Sequence, residues 1–163
     1  MVKEKIFTNC FLVRTDSEDM PTEVCLAMKK RGFGKGMWNG AGGKPEVGES
    51  IDMAARREVE EEFDVSITDM DKKAEIEFIL LREDKKVTMY AFLVNNWEGE
   101  PVETEEMKPK WFKIGEVPYD RMWKSDSEWL PLILSGKKIK AKYTYTQEGG
   151  EVETRQITKI DSF

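Results

Sequence analysis

Histidine is absent from all 163 residues, and that absence removes whole classes of chemistry. Ser-His-Asp and Cys-His nucleophilic machinery, His-ligated zinc and an imidazole general base are excluded. Acid–base work near neutral pH then falls to carboxylates, lysines or metal-bound water. Cysteine is nearly as scarce. Cys10 and Cys25 are too few for a zinc site or a disulfide framework, and both are expected as reduced thiols packed on core strands. No run of about 18 apolar residues occurs, and the opening MVKEKIF has no apolar leader region. A cytosolic protein with no membrane partner is the expectation. A basic surplus is missing too: 26 Lys and Arg against 32 Asp and Glu give a net charge of −6 and a pI near 5.0. That balance argues against a nucleic-acid polymer as partner. It leaves room for a small phosphorylated ligand, whose charge metal ions can neutralise.

What is present describes one domain spanning residues 1–163, expected as a monomer, with 39% hydrophobic and 36% charged residues. Ile6–Val13, Glu23–Met28, Ala74–Arg82, Val87–Asn95, Lys110–Ile114, Lys138–Thr146 and Glu151–Lys159 read as strands. Polar turns are expected at Arg14–Thr22, Glu83–Lys86 and Gln147–Gly150, and an acidic loop at Trp97–Met107. One helix is expected to begin at Ser50 as N-cap, with Asp52 in its first turn, and to end near Phe63; a second lies near Ser127–Leu134. No repeat or linker interrupts this series. The class is α+β with a mixed sheet and at least two helices.

The chain is organised around Gly40–Val65, GAGGKPEVGESIDMAARREVEEEFDV. Gly40, Gly42, Gly43 and Gly48 permit unusual dihedrals and close approach of the backbone to a ligand. A glycine-rich loop feeding a helix suits phosphate, because free N–H groups and the positive dipole end favour anions. Glu58, Glu61 and Glu62 share one helical face, and like charges at that spacing oppose the helix. A cation among them would relieve the repulsion, and oxygen donors favour Mg²⁺, Mn²⁺ or Ca²⁺. Arg57 pairs with Glu61 at the next turn.

Gly43, Glu49, Arg57, Glu58, Val59, Glu61, Glu62 and Val65 fall on the pattern G-x5-E-x7-R-E-U-x-E-E-x-G-U, with U aliphatic. On these residues the chain resembles the Nudix hydrolases. Asp64 stands where the pattern has glycine, at a helix end where a left-handed residue is usual and aspartate can substitute. The stretches Met28–Gly40 (MKKRGFGKGMWNG), Gly42–Lys44, Pro101–Glu103, Glu106–Met107, Trp111–Phe112 and Met122–Trp123 extend the likeness to the MutT type, over nearly the full length.

That resemblance implies an α/β/α sandwich and Mg²⁺-assisted hydrolysis of oxidised purine nucleoside triphosphates, such as 8-oxo-dGTP, to monophosphate and pyrophosphate. By matching position it implies metal ligands at Glu58, Glu61, Glu62 and Glu106 and the Gly42 carbonyl. It places Arg57, Glu58, Glu62 and Glu106 in the catalytic set, with Glu62 or Glu106 orienting or deprotonating water. The substrate set it implies is Thr8, Lys29, Phe33, Asn39, Gly43, Lys44, Phe78, Met107, Trp123 and Asp126, with Trp123 stacked on the purine. Where the family carries two consecutive aspartates, this chain has Ser125 and Asp126. Paired aspartates can share a proton and serve both guanine-like and adenine-like bases. One aspartate beside a serine implies narrower tolerance of oxidised adenine. The alternatives are a Nudix enzyme for another nucleoside diphosphate derivative, such as a methylated purine triphosphate or ADP-ribose, and a non-catalytic nucleotide-binding module. The latter would be expected to lose the box carboxylates that are all present here.

Overall fold

The computed structural model describes residues 2–147 and 150–163. Glu148 and Gly149, at the centre of the turn expected at Gln147–Gly150, lie outside the described residues, as does Met1. The strands in chain order are β1 (Lys3–Thr15), β2 (Pro21–Lys29), the short β3 (Trp38–Asn39), β4 (Ser66–Leu80), β5 (Lys85–Glu98), β6 (Met107–Lys113), β7 (Lys138–Tyr145) and β8 (Val152–Ile160). Helices α1 (Ile51–Phe63) and α2 (Asp126–Leu134) complete the set, with two single-turn 3₁₀ segments before α2. Across the sheet the order is β3-β2-β1-β5-β4-β7-β8, and β6 pairs with β2. The β1–β5 and β4–β7 pairs are parallel and the others antiparallel, so the sheet is mixed as expected.

Side-chain alternation explains why this sheet is covered on both faces. Along β1, Cys10 and Leu12 pack with α1, whereas Phe11 and Val13 pack with α2. The same split divides Cys25 and Ala27 from Val24 and Leu26 in β2, and Phe92 and Val94 from Ala91 and Leu93 in β5. Continuous apolar runs such as CFLV and VCLA therefore mark central strands between two helical layers. Both cysteines are free and buried, and burial pushes both thiols up, Cys25 to about 12.

The α1 helix begins where the sequence places it: Ser50 Oγ accepts the Met53 N–H at 3.1 Å. Ala54, Ala55, Val59 and Phe63 are its buried residues. Asp64 ends it in the left-handed region, with φ 59° and ψ 36°, its N–H donating to the Glu60 carbonyl at 3.0 Å. The substitution for glycine thus keeps the cap geometry at the steric cost that a side chain brings there.

Strand β4 starts eight positions before the expected Ala74, at Ser66. Its polar first half is held by pairing with the far half of β5, through register irregularities between Ile67 and Asp69, Asp69 and Met70, and Lys72 and Ala74. Pairing overrides weak strand propensity there.

Candidate active site

The glycine-rich loop is wedged against β1. Leu12–Thr15 of β1 pair with β2, but farther along β2 the partner becomes β3, at Ala27 and Met28. The freed edge of β1 is taken by the loop: Ala41 and Cys10 exchange hydrogen bonds of 2.9 and 2.6 Å, and the Thr8 N–H donates to the Gly43 carbonyl at 2.9 Å. A Cβ on Gly42 would lie 1.8 Å from the Thr8 carbonyl oxygen, and one on Gly43 would lie 2.5 Å from the Glu58 carboxyl carbon. Neither has a positive φ, so these glycines serve close approach rather than unusual dihedrals; Gly48, at φ +82°, serves the dihedral.

Glu58 and Glu62 lie four positions apart on α1, flanking the buried Val59 and Phe63. Glu62 Oε2 accepts the Gly42 N–H at 3.1 Å, joining the loop to the helix. Arg57 makes a second joint. Its Nε and Nη2 grip both Glu49 oxygens at 2.8 Å each, Nη2 also donates to the Lys44 carbonyl at 3.1 Å, and Nη1 reaches Glu58 at 3.0 Å and Glu61 at 3.3 Å. The expected Arg57–Glu61 pair exists but is the longest of these contacts. From the opposite wall Arg31 holds Glu106 at 3.3 Å and Glu105 at 3.8 Å. Together Arg31, Glu58, Glu61, Glu62, Thr104 and Glu106 line most of a cavity of about 330 Å³.

Electrostatics follow from this placement. The Arg57 guanidinium holds the Glu49 carboxyl down at about 2. Burial raises Glu58, with Arg57 opposing. Burial, then the Glu58 charge, pushes Glu62 up to about 8. Among the described residues no three carboxylate or thiol groups stand close enough to enclose an ion. Each carboxylate instead rests on a protein cation or N–H, the arrangement that repulsion imposes on acidic groups gathered around one cavity. The donor set fits a hard divalent cation: its side chains offer oxygen, Glu58, Glu61, Glu62, Glu105 and Glu106 face one space, and burial opposes ionisation of Glu58 and Glu62, which a cation there would favour.

A second group of residues lies on the α2 face and the loop at its end. Trp123 and Phe33 stack at 5.3 Å between centroids, with Phe33 64% exposed. Trp123 also lies against Gly34, where a Cβ would be 3.4 Å away, and Lys29 runs beneath Gly32 and Gly34. Phe78 stacks on Tyr143 at 5.8 Å. Asn39 receives a hydrogen bond from Asn9 at 3.0 Å. Ser125 and Asp126 are both buried at the start of α2. Phe33, Asn39, Phe78, Trp123 and Asp126 are thereby brought to one side of the molecule, and Glu62 feels the Lys29 charge between the two groups.

Two members of the expected substrate set are placed elsewhere. Thr8 follows the parity of Cys10, toward α1, and its hydroxyl donates to the Gly43 carbonyl at 3.2 Å and accepts the Gly43 N–H at 3.3 Å. Met107 is buried in the α1-side core. Alternation along the strand turns Thr8 to the opposite face from Asn9. Asn9 is a neighbour that the sequence passes over, and Arg31 belongs to the basic, glycine-rich run Lys29–Gly36, which reads as the wall of an anion or nucleotide pocket. A lone amide in the run IFTNCFLV was the available signal for Asn9; nothing in the sequence joins Arg31 to Glu106.

Burial pushes Asp126 from 3.8 up to about 7, against smaller opposing effects of the Trp123 backbone and the Trp129 side chain. The folded value lies above the unfolded one, so the protonated acid's contribution to stability is full below about pH 4 and is lost as pH rises through about 7. The shift corresponds to a change on the order of 4 kcal/mol. Urea unfolding should therefore show Asp126→Asn gaining roughly 2–4 kcal/mol relative to the unsubstituted protein between about pH 4 and about pH 8. A pH-independent difference would show that no buried charge develops at Asp126.

A mixed sheet between two helices, with a glycine loop and a carboxylate helix around one cavity, defines a Nudix hydrolase. The NUDIX domain family matches residues 8–133, and the chain belongs to that family. Members generally need a divalent metal. Over 119 residues it is 44% identical to an oxidized purine nucleoside triphosphate hydrolase of Danio rerio, covering 73% of this chain and 76% of that one. Over 143 residues it is 37% identical to the protein of the same name from Mus musculus, covering 88% and 91%. The structure superimposes on a MutT protein from Bacillus halodurans with a TM-score of 0.79 at 27% identity, covering 94% of this chain and 97% of that one. No described helix is long and apolar enough to cross a membrane.

Proposed function

We propose that this chain, as a single-domain monomer in the cytosol, hydrolyses oxidised purine nucleoside triphosphates such as 8-oxo-dGTP to the monophosphate and pyrophosphate. The observation that carries this reading is one loop, Gly40–Lys44, tied to the glutamate helix by the Gly42 N–H on Glu62 and to Asn39 by the Gly40 N–H, with the stacked Trp123 and Phe33 beside the start of α2. A triphosphate and its base need sites of those two kinds, joined by backbone N–H groups. The relatives from Danio rerio and Mus musculus support the same substrate class.

Glu58, Glu61, Glu62, Glu106 and the Gly42 carbonyl would hold Mg²⁺, the ion whose hard-oxygen preference suits them, with Mn²⁺ as the alternative. When bound, the ion supplies charge neutralisation on the phosphate oxygens and a more acidic water. Arg57 fixes Glu58 against the loop, and Gly43 and Lys44 meet the phosphates. Glu62 or Glu106 orients or deprotonates water. Trp123 stacks on the purine face, a contact of about 1–3 kcal/mol in aromatic–base systems, and Asp126 accepts from the N–H groups of the guanine edge.

A nucleotide panel with pyrophosphate detection tests the reading. With Mg²⁺, kcat/KM for 8-oxo-dGTP should exceed that for dGTP by about tenfold or more, and ADP-ribose should be inert. Turnover of 2-oxo-dATP should fall below that of 8-oxo-dGTP, because Ser125 reaches less far than the aspartate it replaces. Equal efficiency on those two would reject the narrowing; no turnover of any purine triphosphate would reject the function.

A further inference from the structure

The Asn9 side chain has no role in the chemistry above, yet its surroundings are built around it. It points from a central strand to the α2 face and is 5% exposed. Its Nδ2 donates to Asn39 Oδ1 at 3.0 Å and lies 3.5 Å from Met89 Sδ. The same Asn39 oxygen accepts the Gly40 N–H at 2.9 Å. A backbone N–H can only donate, so the Asn39 atom facing Gly40 must be its oxygen, and the Asn9 atom facing that oxygen must be its nitrogen. Amide orientation is therefore fixed along the whole chain of contacts. Gly40 belongs to the device as well, since a Cβ there would fall 2.3 Å from Asn9 Oδ1.

Two accepted bonds use both lone pairs of the Asn39 oxygen. Asn39 Nδ2 has no protein partner among the described residues, whereas Asn9 Oδ1 is buried without one. We propose that Asn9 is a positioning residue for base selection: it saturates the Asn39 oxygen, so that Asn39 meets a bound purine as a hydrogen-bond donor only. Asn39 then reads the purine 6-position, where guanine-type bases offer a carbonyl oxygen, whereas the 6-amino group of adenine-type bases finds no acceptor there. A site that leaves a polar group of the wrong ligand unpaired discriminates more strongly than one that merely fits the right ligand. This inference rests on the purine triphosphate reading and adds a second source of preference for guanine-type over adenine-type lesions, independent of Ser125.

Asn9→Leu removes the donor while keeping a buried side chain of similar size. The freed lone pair of Asn39 can then accept from an amino group, and Asn39 loses one of its two anchors. KM for 8-oxo-dGTP is expected to rise about tenfold with kcat within about twofold, while KM for 2-oxo-dATP stays the same or falls. Asn9→Ser, whose hydroxyl is too short to reach Asn39, should behave alike and provides a second route should leucine disturb folding. A merely structural role would change both substrates together. If the unsubstituted protein favours 8-oxo-dGTP and both variants keep its KM and its preference, the role of Asn9 falls and the functional reading stands. If the unsubstituted protein turns over neither nucleotide, the functional reading falls and takes this inference with it.

Discussion

Replacing Glu62 by Gln is expected to lower kcat on the preferred nucleotide by roughly 10²–10⁴-fold while leaving the fold intact. Glu62 is the carboxylate with the strongest positional argument. Its Oε2 is tied to the Gly42 N–H at 3.1 Å, and it lies within the electrostatic reach of Glu58, Glu106 and Lys29. The glutamine oxygen can keep the Gly42 bond, so the loop stays docked. What is lost is an anionic oxygen next to Glu58, whether it serves as metal ligand or as base. Because burial and the Glu58 charge already oppose ionisation of Glu62, removing that charge should hold or raise the melting temperature. A lower kcat accompanied by a lower melting temperature would point to a structural role instead. Unchanged turnover would remove Glu62 from the reaction. Glu61→Gln offers the internal comparison: its side chain is 59% exposed, and its loss should cost less.

The helix and its caps were readable because short-range chemistry decides them. Ser50 has a nearby N–H to accept, and Asp64 a turn to close, whatever the rest of the chain does. The central strands were readable from their unbroken apolar runs. Where long-range pairing decides, the sequence was less informative, as at Ser66–Lys73, which is polar and becomes a strand only because β5 lies beside it. In the site, the box spacing identified the glutamates, but not that Arg57 grips Glu49 with two bonds and Glu61 with only one. Motif matching gave Thr8 and Met107 to the base, although strand parity and core packing direct them to the α1 side. It passed over Asn9, since a strand position is read by its pattern and the partner that gives the amide a purpose lies thirty residues away.

Arg57 tests how far the glutamates depend on being held. Its fork joins Glu49 and the Lys44 carbonyl on the loop to Glu58 on the helix, so one side chain sets the distance between the phosphate-facing backbone and the carboxylates. Arg57→Lys keeps the positive charge near Glu58 and Glu49 but cannot make the same planar set of bonds. If charge alone mattered, lysine would suffice and kcat would hardly move. If the fork matters, the loop and helix drift relative to one another, and misplacement of about 1 Å can cost on the order of 100-fold in rate. We expect the second result, with kcat down by about 10–100-fold and the Mg²⁺ concentration needed for half-maximal activity raised. Glu49→Gln should give a milder version of the same defect, because its amide oxygen can still accept one of the two Arg57 bonds. Arg57→Lys turning over at the rate of the unsubstituted protein, with the same Mg²⁺ requirement, would mean that the carboxylates find their places without the clamp.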